Sequence, residues 1–442
     1  MKGLIYGNYS GNYYNESVAI HSESVQMNLT MFVLRTKNGS VTVKVDDCHV
    51  FQLSPIGVLF DNNKKEDSVT LHRLLVQDGS YLLQSLVCSR TSAVIDERIN
   101  MRLAQLRSQL HLSEAANSNL LGGIFKSKRR RQQSITSAAA SIVKNSKLSK
   151  AGNLLLDHSI NEGPVVKENF LEVGCSAEVY AKGAGETPFG PVNITFPAST
   201  NSSKMLQVLV TDFVPNSMMY QSHKLGLFNT RVDPSTPQIG SMMQTTCGIG
   251  SGTLFCLGDI LPTLKHYYPD SGIAMIFSSR RPPVVIFRSG NKGRFLFTYG
   301  IHRRSFLAVD GRLSLLAIDA HGVEKRVGEV DIVIEATFKA KVVRSFIRSK
   351  IALEKVQFIS LSTDVLDQEE LDDASFLCRE VMQRMVNDIL KDGIPIPLHP
   401  LFKIRNLQIM PLNRAYMIST DFELNADMVK QMTAAHRRAA AA

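Results

Sequence analysis

The sequence lacks the short motifs by which many enzymes are recognised. No GxSxG nucleophile elbow, HExxH zinc motif or phosphate-binding P-loop occurs along its 442 residues. The glycine-rich stretch Gly248-Ile-Gly-Ser-Gly252 does not have the GxGxxG spacing, and it indicates a turn or hairpin. The 11 histidines are scattered, which is typical of surface or core residues rather than a catalyst. The sequence therefore predicts a protein that is not an enzyme and has no cofactor.

Cysteine is also scarce, with only 6 in the chain. This is too few for a disulfide-dense scaffold. No CxxC or Cys/His cluster of zinc spacing occurs, so we expect no metal site. The cysteines are Cys48, Cys88, Cys175, Cys247, Cys256 and Cys378.

Long apolar runs are missing as well. No window of about 18 apolar residues is present that would span a bilayer. The opening Met1-Lys-Gly-Leu-Ile-Tyr-Gly-Asn has no apolar segment or cleavage site of a signal peptide. We expect the true start of the protein to lie upstream, so that the chain begins inside its first domain.

Glycosylation acceptors, by contrast, are frequent. Four of the six Asn-x-Ser/Thr tripeptides fall within the first forty residues, which is denser than chance usually gives. This density favours passage through the secretory pathway and a secreted protein, although the tripeptide also occurs by chance. The acceptor asparagines are Asn8, Asn15, Asn28, Asn38, Asn193 and Asn201.

The composition indicates a globular protein with a basic surface. Hydrophobic residues make up 44% and charged residues 20%, which is enough apolar material for a packed core. The formal net charge is +10, which suits an anionic partner such as phospholipid, lipopolysaccharide or nucleic acid. Charge alone does not choose among these partners.

A basic cluster opens a segment with little periodicity at about 126–150. We interpret this segment as an exposed loop. Its cluster has three interpretations: a solvated loop, an anion-binding patch, or a processing or targeting signal. The anion-binding candidates are Lys126, Lys128, Arg129, Arg130 and Arg131.

Periodicity predicts strands with one long helix in the first part of the chain. Val41, Val43 and Val45 alternate with polar residues, as on a half-buried strand. Within 80–112, apolar residues recur at steps of three and four and predict one face of a helix laid over a sheet. They are Ile95, Ile99, Leu103, Leu106 and Leu110. Proline, glycine and small polar residues at 183–204 predict a linker and the best domain boundary.

Strands dominate the remainder. In Ile334–Val342 the apolar residues alternate with Glu335, Thr337, Lys339 and Lys341, which predicts a strand with one apolar face. One helix is predicted at about 256–268, and another from Leu371 to Gly393. An apolar stripe on the second helix predicts core packing or, alternatively, a lipid-facing surface. Its members are Phe376, Leu377, Val381, Met382, Met385 and Ile389.

The C-terminal segment resembles a known family. Lys391-Asp-Gly-Ile-Pro-Ile-Pro-Leu follows the predicted helix and precedes Ile404-Arg-Asn-Leu-Gln-Ile and Ala415-Tyr-Met-Ile-Ser-Thr-Asp-Phe-Glu-Leu. Upstream, Thr187-Pro-Phe-Gly-Pro-Val-Asn-Ile-Thr-Phe-Pro is similar to the family's connector between domains. Together these segments resemble the family of the bactericidal/permeability-increasing protein, lipopolysaccharide-binding protein and cholesteryl ester transfer protein.

The resemblance implies an α+β fold shaped as an elongated, two-barrel boomerang. In such a fold each barrel is a twisted antiparallel sheet wrapped around a long amphipathic helix, and a central sheet joins the two barrels. The implied domains are a partial, N-terminally truncated barrel over 1–182, the linker 183–204, a C-terminal barrel over 205–430 and a tail over 431–442. The resemblance also implies a disulfide between Cys48 and Cys88. It implies no pairing for the other four cysteines.

The function implied by the resemblance is lipid binding. Acyl chains of a phospholipid or lipopolysaccharide would lie in an apolar groove, in lipid transfer or antibacterial innate immunity, with no nucleic acid as partner. Each methylene withdrawn from water contributes about 0.8 kcal/mol, so no catalytic group is needed. Two alternatives stay open: a polyanion-binding module that uses the basic cluster, and a structural glycoprotein without lipid cargo.

Overall fold

The computed structural model describes residues 2–9, 12–21, 23–52, 54, 57–60, 68–105, 108–111, 153–167, 169–181, 186–197, 204–236, 239–247, 255–289, 305–343, 346–391, 394–395 and 402–426. The chain divides into two compact units, 1–108 with 158–176 (unit 1) and 109–157 with 177–442 (unit 2). Every pairing between described strands is antiparallel. The fold is therefore a mixed α/β architecture of antiparallel sheets with few helices. The predicted loop at 126–150 and tail at 431–442 lie outside the described residues.

Unit 1 contains three small sheets and one long helical segment. The sheets are ordered β1-β2-β5, β3-β4 and β8-β9. The strands are β1 (Lys2–Tyr9), β2 (Asn12–His21), β3 (Val25–Arg35), β4 (Val41–Gln52), β5 (Gly57–Phe60), β8 (Ile160–Lys167) and β9 (Phe170–Cys175). In the hairpin β3–β4, Val41, Val43 and Val45 share one face, as their alternation predicts.

The helical segment of unit 1 changes its pitch near its end. Helix α1 (Ser68–Val94) continues into a π-helical turn at Ile95–Asn100 and then into α2 (Met101–Gln105). The predicted stripe is correct at Ile95, which is 4% exposed, and wrong at Ile99, which is 44% exposed. Leu103 is half-buried, Leu106 lies outside the described residues, and Leu110 lies on a strand and not on the helix. A π turn adds a residue per turn, so Asn100 rather than Ile99 follows Ile95 on the side facing β4.

Unit 2 contains a seven-stranded sheet and two three-stranded sheets. The large sheet has the order β12-β13-β15-β16-β17-β18, with β14 paired to β15, and the smaller sheets are β10-β7-β6 and β11-β20-β19. The strands of the large sheet are β12 (Thr230–Val232), β13 (Gly272–Ser279), β14 (Val284–Ile286), β15 (Ser305–Ile318), β16 (Glu324–Val343), β17 (Phe346–Ser360) and β18 (Ile394–Pro395). The strands of the smaller sheets are β6 (Gln109–His111), β7 (Leu154–Asp157), β10 (Glu178–Ala181), β11 (Leu206–Thr211), β19 (Phe402–Leu412) and β20 (Ala415–Leu424).

The helices described in unit 2 are short except for α6. They are α3 (Phe213–Lys224), α4 (Leu257–Ile260), α5 (Pro262–Tyr267) and α6 (Gln368–Leu390). The single helix predicted at 256–268 is two helices, because Pro262 has no N–H to continue the first. None of the described helices is long and apolar enough to cross a membrane.

Helix α6 begins three residues before the predicted start. Its N-cap is Asp367, whose carboxylate accepts hydrogen bonds from the backbone N–H groups of Glu369 (2.8 Å) and Glu370 (3.3 Å). Asp372 and Asp373, which we expected at the helix start, lie in the second turn.

Part of the linker predicted at 183–204 is described and packs on α3. The ring of Phe189 makes edge-on contacts with Phe213 and Tyr220, each at 6.0 Å between ring centroids. The backbone N–H of Thr187 donates to Glu178 at 2.8 Å. This stretch, 186–197, has no regular secondary structure but is held to unit 2.

Side-chain amides of α6 hold the helix along strand β17. Asn387 accepts from the N–H of Ile351 at 2.9 Å and donates to its carbonyl at 2.8 Å. Gln383 accepts from the N–H of Leu353 at 2.8 Å. Backbone groups on the outer edge of β17 therefore have partners at positions where no described strand lies beside them.

Unit 1 repeats this arrangement. Asn100 accepts from the N–H of Val43 and donates to its carbonyl, both at 2.8 Å. In each unit, then, a helical asparagine forms two hydrogen bonds with one residue of an edge strand.

Replacement of Asn387 by Ala should lower the stability of unit 2. Two buried backbone groups of Ile351 would lose their partners, at a cost of about 1–3 kcal/mol. Thermal denaturation should show a lower Tm for N387A than for the matched variant D388A, which removes an exposed neighbour on the same helix. Equal melting temperatures would show that the edge of β17 does not need this amide.

Candidate functional site

One face of the large sheet in unit 2 is apolar along four adjacent strands. The register places Leu307 beside Ala336, and Ala336 beside Leu353. Paired residues in antiparallel strands share a face, so this set and its neighbours two residues away point the same way. Ile334 and the residues paired with it on the two neighbouring strands belong to this face, as the alternation in Ile334–Val342 predicts.

The apolar face is filled at one end. Leu264, Ile273 and Leu366 are completely buried there, and Leu315 and Val330 are nearly so. Helices α4 to α6 contribute Leu261, Leu371 and other residues to the same core. This end is a packed hydrophobic core with no room for a ligand.

In the middle, the apolar face is only half-buried. We call this stretch the trough, and its side chains are Phe277, Leu307, Val309, Leu313, Ile334 and Ile351. Gly311 lies among them on β15, and a Cβ built there would lie 2.3 Å from Cε2 of Phe277. The ring of Phe277 thus lies against the backbone of Gly311. The polar side chain beside them is that of Ser279, which is paired with Gly311 and whose hydroxyl group forms a hydrogen bond of 2.7 Å with Nδ1 of His223.

Aromatic rings close the far end of the trough. The ring centroids of Phe287 and Tyr416 are 4.5 Å apart, and those of Phe287 and Phe338 are 6.3 Å apart. The hydroxyl groups of Tyr416 and Ser305 share a hydrogen bond of 2.7 Å. Burial raises the pKa of Tyr416 above its ordinary value, so this hydroxyl stays neutral at physiological pH.

An ion pair between a buried carboxylate and a partly exposed arginine fixes the strands beside this aromatic cluster. Asp212, 1% exposed, accepts hydrogen bonds from Nε of Arg414 at 2.6 Å and from the N–H of Phe287 at 3.3 Å. The bond to Asp212 raises the pKa of Arg414. This contact joins β11, β14 and the β19–β20 turn, and thereby positions Phe287 and Tyr416.

The apolar stripe predicted on α6 divides between two sides of the helix. Met382 packs against the core, together with Ala374 and Cys378. Three others are exposed: Phe376 (62%), Leu377 (50%) and Val381 (46%). The side chains of Met385 and Ile389 lie outside the described residues. Small side chains such as Ala374 carry little weight in a hydropathy pattern, so the sequence did not show which side faces the core.

Unit 1 carries a second set of exposed apolar side chains, on its helix and on the hairpin β3–β4. Met27 is 42% exposed and Met31 45%, although both lie on the hairpin face that bears Cys48. On the helical segment, Leu82 and Leu86 are also exposed. These residues are not among the lipid-groove candidates predicted from the sequence. Their signal was the alternation of apolar residues along Val25–Arg35.

The structure contains two disulfides. Cys48–Cys88 is the pair that the family resemblance implies, and it joins β4 to α1. Cys247–Cys256 was not assigned from the sequence, and it closes a loop just before α4. Neither bond includes Cys175 or Cys378, and burial raises the pKa of the Cys378 thiol. Among the described residues, the one group with metal-ligand spacing contains both cysteines of the second disulfide.

The other predicted sites are only partly described. Asn28, Asn38 and Asn193 are exposed, as a glycan requires. The side chains of Asn8 and Asn15, on β1 and β2, and the whole of Asn201 lie outside the described residues. The same is true of the anion-binding candidates Lys126, Lys128, Arg129, Arg130 and Arg131.

The chain belongs to the LBP/BPI/CETP family, whose C-terminal domain matches residues 149–424. Among solved structures, it is similar to one described as a lipopolysaccharide binding protein. Their sequences are 14% identical, the match covers 94% of this chain and 79% of the other, and the TM-score is 0.43. No curated protein matches the sequence. Membership in this family points to lipid or lipopolysaccharide binding, and the family is generally not enzymatic.

The contact between Gly311 and Phe277 gives a direct test of packing in the trough. In G311A the added methyl group would collide with the ring and force it to move, which should cost about 1–3 kcal/mol and lower the Tm. The double variant F277L/G311A removes the colliding ring atoms and should recover part of the loss. G190A is the control, because nothing lies within 4 Å of a Cβ built at Gly190. If G311A has the same Tm as the wild type, the ring of Phe277 does not lie against Gly311.

Proposed function

We propose that unit 2 binds the acyl chains of a lipid in the trough. The observation that carries this proposal is a sheet face whose six side chains are all apolar and yet only half-buried in the protein alone. Five of the six side chains also pack against the neighbouring core. The apolar surface that they leave accessible favours a ligand that covers it. The second set of exposed apolar side chains, in unit 1, supports the same kind of binding there.

The proposed ligand is a phospholipid or a lipopolysaccharide-type lipid. Ten methylenes withdrawn from water would contribute about 8 kcal/mol before the costs of ordering the ligand. Helix α6 offers Phe376, Leu377 and Val381 as further apolar contacts. The trough residues are hydrocarbon side chains, so we propose binding or transfer of lipid and no catalysis.

We further propose that the protein is secreted, acts in lipid transfer or antibacterial innate immunity, and has the two-barrel form of its family. Two disulfides and three exposed glycosylation acceptors support an extracellular location. The polyanion-binding alternative depends on the cluster at 126–131, and the alternative of a structural glycoprotein requires a trough that never takes up lipid.

Single-tryptophan variants test the proposed site, because the chain has no tryptophan of its own. F277W places the fluorophore in the trough, and V323W places it on a turn where the native side chain is 61% exposed. A phospholipid with brominated acyl chains quenches tryptophan only at close range. We expect strong quenching of F277W and little of V323W.

Two outcomes would contradict lipid binding in the trough. Equal quenching of both variants would mean non-specific adsorption of the lipid. No quenching of F277W, together with no lipid in native mass spectra of the purified protein, would favour the structural glycoprotein.

A further inference from the structure

The opposite, outer face of the β16–β17 ribbon carries two consecutive rungs of like charge. Lys339 lies directly opposite Lys350, and Lys341 lies directly opposite Arg348. All four side chains are exposed. Facing residues are about 5 Å apart and the two rungs about 7 Å apart. We call these four residues the cationic ladder.

No carboxylate among the described residues forms an ion pair with the cationic ladder. The neighbouring rung, Thr337 and Ala352, is neutral, and the next one joins Glu335 to Lys355. Glu354, on the bulge of β17, accepts a hydrogen bond from Thr337 at 2.7 Å. Like charges directly opposite each other destabilise a sheet, so the fold itself gains nothing from these rungs.

Other cations on the same outer face form ion pairs with carboxylates. Arg280 and Arg312 both form ion pairs with Asp331, whose side chain is 10% exposed, and Nε of Arg312 lies 2.7 Å from it. Arg312 also faces Glu329 at 3.6 Å. Among the described residues, the four cations of the ladder differ from these two arginines in having no ion-pair partner.

We propose that the cationic ladder docks unit 2 on the surface of a bilayer that contains anionic phospholipid. Four cations on one flat ribbon match a dense layer of phosphate groups, and each Lys or Arg at such a surface strengthens partitioning about fivefold. Two rungs form only a short row of cations, which can contact few charges of a long polyanion. Aromatic side chains on which nucleic acid bases stack do not alternate with these four cations.

This docking surface does not require a lipid in the trough. The two sites lie on opposite faces of the same strands, so neutral substitutions on the outer face leave the inner face unchanged. Failure of docking and failure of acyl-chain binding can therefore be told apart.

The test is co-sedimentation of the full chain with vesicles of phosphatidylcholine, with and without phosphatidylserine. The wild type should bind only the anionic vesicles, and K339Q/K350Q should weaken that binding about 25-fold. K339R/K350R keeps the charge and should bind like the wild type. The control K37Q/K44Q removes the same charge from two exposed lysines of the β3–β4 hairpin in unit 1 and should change binding far less.

Several outcomes would overturn the proposal. They are a wild type that does not bind anionic vesicles, an equal loss in K339Q/K350Q and K37Q/K44Q, and a loss confined to immobilised heparin, which would assign the ladder to a soluble polyanion. The Tm of K339Q/K350Q should equal or exceed that of the wild type, which excludes misfolding. Quenching of F277W by a dispersed brominated lipid should persist in the K339Q/K350Q background, which keeps the test separate from the proposed function.

Discussion

The hydrogen bonds between helical amides and an edge strand are the constraint on which unit 2 depends. An unpaired edge of β17 would expose a row of backbone groups, and Asn387 and Gln383 provide their partners. Gln368, at the start of α6, adds two more contacts with the N–H of Ser360 and the carbonyl of Phe358. These bonds hold α6 along the edge of β17, while Leu371, Ala374 and Met382 of the same helix pack into the core. Asn100 forms the equivalent hydrogen bonds beside β4 in unit 1.

The sequence predicts the structure well where the geometry of a single strand or turn determines which side a residue faces. Alternation predicted the apolar face of Ile334–Val342 and the hairpin face of Val41, Val43 and Val45, since a strand has only two faces. The family resemblance added the Cys48–Cys88 pair, which no spacing rule would provide. The predicted antiparallel α+β class was confirmed in its coarse form.

The sequence is less informative where tertiary contacts decide. A period of four predicted Ile99 beside Ile95, yet the π turn brings Asn100 there, because an amide is needed at Val43. On α6 the apolar arc is wider than the contact with the sheet, so Phe376 and Met382 looked equivalent. The amides of Gln383 and Asn387 looked like ordinary surface groups, since a polar residue does not reveal from its type that it faces a backbone.

The polar groups around the trough have a bearing on selectivity. Asn387 and Gln383 are committed to the backbone of β17, and the hydroxyl of Tyr416 is bonded to Ser305. Specificity for a headgroup arises when buried polar groups of a site are left unpaired by the wrong ligand. Side chains that are already paired within the protein impose no energetic penalty on a ligand with the wrong headgroup. Under the proposed function, such a trough would select a ligand by the length and shape of its hydrocarbon, and any preference for headgroup charge would have to come from groups outside it.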